Sequence, residues 1–136
     1  MITEDYASYE VAKLLKEKGF DGLCYCHEFT DYEGNFTTYH TEYPENWNQS
    51  EPCVSIPTLG MAMKWLREEK DIYICVIPRT NYNMLTHESS IWYYTNCERK
   101  ENWGEGTTLM REKEFYCPTW EEACESVLKY ALENLI

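Results

Sequence analysis

The stretch Pro57-Thr58-Leu59-Gly60-Met61-Ala62-Met63-Lys64-Trp65-Leu66-Arg67-Glu68-Glu69-Lys70-Asp71-Ile72-Tyr73-Ile74-Cys75-Val76-Ile77-Pro78 changes period part-way along, and that change decides the fold class. Thr58 is an N-cap residue. After it Leu59, Ala62, Trp65 and Leu66 recur at helical spacing while Lys64, Arg67 and Glu68 fall on the opposite face, which predicts a helix to about Lys70. Ile72 to Ile77 then has no polar face, being apolar on both sides apart from Tyr73. This predicts a central strand covered by helices on at least one side. Pro78 is expected to stop it, because proline has no N–H to give to a ladder.

Toward the N-terminus, Leu23 to Phe29 and Asn35 to Thr41 flank Thr30-Asp31-Tyr32-Glu33-Gly34, a short loop with glycine, and read as a hairpin. Ahead of it, Ser8 caps a helix from Tyr9 to about Lys18 with Val11, Leu14 and Leu15 on one face and Lys13, Lys16 and Glu17 on the other. Gly19 is expected to end that helix in a Schellman turn, with Phe20 against Leu15. Toward the C-terminus, Ser90 to Cys97 and Thr107 to Cys117 read as strands joined by a loop from Glu98 to Gly106. The mixed charges of Arg111-Glu112-Lys113-Glu114 suit a solvated edge. Thr119-Trp120-Glu121-Glu122 is a capping box opening a third helix, in which Ala123, Cys124, Val127, Leu128, Ala131, Leu132 and Leu135 recur at three and four. The order is helix, hairpin, helix, three-stranded meander, helix, without the strand–helix alternation of a doubly wound sheet. It predicts a single α+β domain over residues 1–136: a mostly antiparallel sheet of about five strands with three helices packed on one face.

The 136 residues carry 24 acidic and 12 basic side chains, a formal net charge of −12. Such a surface repels phosphate backbones and anionic headgroups, so neither direct nucleic-acid binding nor membrane binding is expected. Apolar residues make up 43 % and aromatics 15 %, enough to bury a core and too much for a disordered chain. The opening Met1-Ile2-Thr3-Glu4-Asp5 is acidic where a secretion signal is basic, no apolar run has the length of a membrane span, and the cysteines number seven, an odd count. Together these predict a cytoplasmic protein whose thiols are reduced and mostly buried.

Between Lys18 and Lys64 the 45 intervening residues contain no lysine or arginine, while Asp21, Glu28, Asp31, Glu33, Glu42, Glu45 and Glu51 supply seven negative charges. Tyr25, Phe29, Tyr32, Phe36, Tyr39, Tyr43 and Trp47 are interleaved with them. Tyr and Trp anchor interfaces, and acid draws basic partners. Glu28, Asp31, Tyr32, Glu33, Tyr39, Glu42, Tyr43 and Trp47 are therefore the candidate residues for binding a protein partner with a basic surface. The other reading is a solvated hairpin and loop whose aromatics fold back onto the core.

Cys24-Tyr25-Cys26-His27 sets two thiols at i and i+2 on one side of a strand, with His40 able to approach across the hairpin. Cys24, Cys26, His27 and His40 are the candidate zinc ligands, although their spacing is not that of paired Cys-x-x-Cys knuckles; no other cofactor is expected. Seven cysteines and three histidines (His27, His40 and His87) leave a cysteine-dependent enzyme as a further alternative without a distinguishing motif. There is no Gly-x-Gly-x-x-Gly, no P-loop and no His-Glu-x-x-His, so the chain reads as non-enzymatic and no catalytic residue is assigned. The final strand and any exposed aromatics would also let two copies pair as a homo-oligomer.

Three blocks carry a resemblance: Tyr6 to Asp21, Pro57 to Glu68, and Thr119 to Glu125 running into Lys129 to Ile136, about a third of the chain. In order and spacing they resemble a family of short uncharacterised proteins found in gut anaerobic bacteria and in their phages and prophages. The family has no assigned activity. The resemblance therefore implies a phage or mobile-element setting, with no catalytic residues to carry over. With the acidic, aromatic stretch, the chain reads as an accessory protein that acts by binding a protein partner.

Overall fold

The hydroxyls of Ser8, Thr58 and Thr119 accept hydrogen bonds from the backbone N–H groups of Val11, Met61 and Glu122, each at 3.2 Å. These bonds open the three helices of the computed structural model, α1 (Tyr9–Glu17), α2 (Leu59–Lys70) and α3 (Trp120–Asn134). At the far end of α1, Gly19 has φ +88°, the Phe20 N–H donates to the Leu15 carbonyl at 2.9 Å and the Gly19 N–H to Lys16 at 3.1 Å. Those two bonds make the expected Schellman turn. The structure describes residues 2–103 and 106–136; residue 1 of the acidic opening, and residues 104 and 105 of the expected last loop, lie outside the described residues.

The strands are β1 (Cys24–Thr30), β2 (Phe36–Glu45), β3 (Val54–Ile56), β4 (Ile72–Asn83), β5 (Glu88–Trp103) and β6 (Gly106–Cys117). The fold is α+β, but the expected single sheet of about five strands is replaced by two antiparallel sheets of three, ordered β2-β1-β3 and β4-β5-β6. β3 is the strand the sequence did not announce. It is three residues long and buried throughout, too short to show a period.

Two other expectations are corrected. Ile72–Ile77 is not central: β4 is an edge strand and runs on through Pro78 to Asn83. An edge tolerates proline because the missing N–H can face solvent. The loop expected from Glu98 to Gly106 is largely strand, and its charges pair with neighbouring elements: Arg99 with Glu112 (3.7 Å), Glu98 with Arg111 (3.8 Å) and Lys100 with Asp71 (3.6 Å).

Helix α1 packs on β3 and α3, α2 on β4 and α3, and α3 on all three strands of the second sheet. Leu15, Leu59, Leu66, Ile72, Leu128 and Leu132 are each under 2 % exposed in the core they share. Full burial of an aliphatic side chain of this size contributes about 1.5–3 kcal/mol. The segment before α1 joins the starts of the helices. Its Ala7 N–H donates to Pro57 (2.9 Å), its Asp5 carbonyl accepts from Leu59 (2.8 Å), and the Ser8 N–H and hydroxyl both donate to the Glu125 carboxylate at 2.7 Å. A carboxylate at the start of α1 also suits the positive end of its dipole.

Candidate partner-binding surface

β1 lies between β2 and β3, so its register decides which side chains meet across the first sheet. Cys26 is opposite His40 and Ile56, while His27 is opposite Tyr39 and Ser55, and the two rows point to opposite faces. On the face covered by α1, Cys26 packs with Ala12, Val54 and Ile56, and its Sγ lies 3.9 Å from His40 Nε2. The Tyr6 ring meets His40 edge-on at 5.5 Å. On the other face, the His27 ring stacks on both Trp47 (4.0 Å between centroids) and Tyr39 (5.4 Å). Burial lowers the pKa of His27 below the ordinary histidine value, against an opposing pull from Glu45. Neither His27 Nδ1 nor the neighbouring Ser55 hydroxyl has a hydrogen-bond partner among the described residues.

The four candidate zinc ligands are therefore not brought to one point. The pairing of β1 with β2 is irregular between Cys24 and Cys26, and Cys24 enters the main core whereas Cys26 joins the smaller cluster under Tyr9. His27 faces away from both Cys26 and His40. Only Cys26 and His40 come together, and among the described residues no three His, Cys, Asp or Glu side chains gather as a metal site would need. Burial pushes the Cys24 thiol up to about 11 and raises that of Cys26, so both hold their protons near neutral pH and are poor nucleophiles. All seven cysteines are free, five of them buried.

The candidate partner-binding residues divide between those that build the surface and those that present it. Asp31 shapes the hairpin turn: its Oδ1 accepts from the Glu33 and Asn35 N–H groups at 2.9 and 2.8 Å and its Oδ2 from the Asn35 amide at 3.1 Å. The bonds from Asn35 hold its carboxyl below the usual range. Trp47 is structural too, since its indole N–H donates to the Cys24 carbonyl at 3.0 Å while the ring covers His27. Glu28 is half-buried and shares the α1 side of the sheet with Thr38 and Val54. Glu33, Glu42, Tyr32, Tyr39 and Tyr43 are exposed. With Tyr25 and Phe36, which reasoning from sequence left out of the site, the exposed aromatics of this sheet range from 48 to 109 % exposed. At the hairpin end, Phe29, Asp31, Tyr32, Glu51 and Pro52 border an open cleft of about 570 Å3, with Lys16 reaching Glu51 at 2.7 Å from α1.

A second polar surface lies on the helix-free face of β4-β5-β6. Arg111 bonds Glu114 at 2.6 Å and approaches Glu98 at 3.8 Å; Glu114 also accepts from the Tyr94 hydroxyl at 3.1 Å, whose oxygen accepts from Asn96 at 2.9 Å. With Arg79 and Tyr116 these residues border a groove of about 560 Å3. The charges are turned on one another, so the network stitches β5 to β6 and presents little net charge. This network was not legible in the sequence, because the register shift between Cys97 and Glu98 breaks the period-two pattern on β6, where Arg111 and Glu114 share a face although three residues apart.

Comparison of the chain with models of protein families, with curated proteins and with solved structures finds no match. No helix among the described residues is long and apolar enough to cross a membrane.

Proposed function

We propose that this chain is a non-enzymatic accessory protein that binds a basic protein partner on the exposed aromatics and free edge of its first sheet. The observation that carries the reading is the exposure of Tyr25, Tyr32, Phe36, Tyr39 and Tyr43 inside a stretch with seven acids and no lysine or arginine. Phe36 lies on the α1 side of β2, its ring 5.1 Å from that of Tyr9, and Tyr39 on the opposite face beside His27, so the partner reaches both around the β2 edge. Aromatics left in water mark an interaction surface, whereas the reading in which they fold back on the core would bury them. Acid around them steers a basic partner and repels an acidic one. β2 adds an open edge, so an extended basic segment can be taken up as a further strand.

The test is capture from host-cell lysate with the tagged chain as bait, set beside the triple variant Glu33→Lys/Glu42→Lys/Tyr43→Ala. Asp31 and Trp47 are left untouched because they hold the surface together. A basic protein retained by the wild type, released as NaCl rises and absent from the variant, supports the reading. Equal retention by both baits, or nothing retained by either, rejects it.

A further inference from the structure

The second sheet runs past the core. β6 ends at Cys117 opposite Tyr93, and beyond that pair β4 and β5 continue alone as a two-stranded arm from Arg79 to Trp92 in which every residue is exposed. Tyr82, Met84, Leu85, Ile91 and Trp92 lie in water along it. A hairpin with no third strand and no helix against it is marginal by itself. The arm is also where the molecule is least charged: from Ile72 to Cys97 the only charged residues are Arg79 and Glu88, one of each sign.

The four sheet edges differ in how they are protected. β6 carries Arg111-Glu112-Lys113-Glu114, β3 is three residues long, and β2 lies in the acidic stretch. Charge and shortness are the usual guards against edge pairing. β4 beyond Pro78 reads Arg79-Thr80-Asn81-Tyr82-Asn83, which is neither short nor charged past Arg79.

We propose that this arm docks a second copy of the chain, with the two β4 edges pairing antiparallel about a two-fold axis. Charge selects the occupant. Two copies at −12 each repel over most of their surfaces, and the arm, whose formal charges cancel, is where they approach at least cost. A basic partner finds a single acid there, Glu88, against seven between Lys18 and Lys64. The contact is isologous, so the same residues serve both sides. Ile91 lies opposite Thr80 and Tyr82 opposite Ser89, which puts Ile91 and Tyr82 on one face. Pairing of the β4 edges brings the Tyr82 side chain against the partner's edge, where it loses water, and Ile91, one strand further in, extends the apolar strip behind it.

Sedimentation equilibrium of the full chain over a dilution series, at low and high NaCl, tests this. The wild type should approach twice its 16.3 kDa, with the dimer strengthening as salt screens the repulsion. Tyr82→Asp/Ile91→Asp should weaken it by about tenfold or more, equivalent to at least about 1.4 kcal/mol. Its helical circular dichroism should stay unchanged, and its melting temperature should match that of the wild type diluted to monomer, because both positions are exposed in the single chain. Glu33→Lys/Glu42→Lys should leave the dimer intact, which separates this contact from the first-sheet surface. A mass that stays at 16.3 kDa up to about 1 mM chain overturns the proposal, as does a dimer indifferent to the double variant or one dissolved by salt. A monomer that loses a basic partner on Tyr82→Asp/Ile91→Asp also overturns it and gives the arm to that partner.

Discussion

Burial takes the His27 ring out of water, and its Nδ1 lacks a hydrogen-bond partner among the described residues, so the folded chain disfavours a proton there. The unfolded chain takes that proton near the ordinary value of 6.5, while the folded chain resists it to lower pH. Below the ordinary value the unfolded state binds more protons, so stability falls as pH drops. The melting temperature should decline from about pH 7 to about pH 5.5, and His27→Phe, which keeps the stacking, should flatten that decline. Thermal scans of the two proteins across this range decide it, and parallel profiles would exclude His27 as the cause. Thiols act at the alkaline end. Burial pushes Cys24 to about 11 and Cys124 to about 12 from an ordinary 9.0, so above that value the unfolded thiols ionise first and stability falls as pH rises. Trp47→Phe should cost about 1–3 kcal/mol in urea denaturation, because it leaves the Cys24 carbonyl without its indole donor. Neither role was legible in the sequence. Trp47 and Asp31 stood out as aromatic and acid in an acidic stretch, and only their positions in space show that they serve the structure.

At the scale of the element, what is local was legible and what depends on neighbours was not. Each helix start rests on a hydroxyl and an N–H three residues apart, and the end of α1 on Gly19 and Phe20, so the stretches themselves contain the information. Gly19→Ala puts a Cβ on a residue at φ +88° and should cost about 1–2 kcal/mol, read as a lower urea midpoint with unchanged slope. A changed slope would instead mean that α1 no longer ends there. The strands show the opposite case. Whether proline stops a strand depends on whether a neighbour needs its N–H, and Pro78 sits on an edge that only the assembled sheet defines. The same dependence hid β3, whose partner β1 lies about 28 residues earlier in the pairing of Cys26 with Ile56 and Glu28 with Val54.

For the whole molecule, a net charge of −12 opposes compaction, and the stretch between Lys18 and Lys64 holds seven of the acids and no lysine or arginine. Moderate NaCl should therefore raise the melting temperature of the wild type, and raise it less in Glu33→Lys/Glu42→Lys, where part of the excess has been removed. A fall in melting temperature with salt would mean that the surface ion pairs outweigh the repulsion. The α+β class was legible from the order of periods alone. The division into two sheets was not, because it turns on the far ends of the chain meeting. Ser8 and Glu125 are 117 residues apart, and α3 supplies Cys124, Val127, Leu128, Ala131 and Leu132 to a core that every earlier helix also needs. During synthesis, then, the emerging chain cannot close its core until α3 has cleared the ribosome. Until that moment α1, α2 and the second sheet lack the helix they share, and the like charges of the chain help keep one nascent copy from sticking to the next.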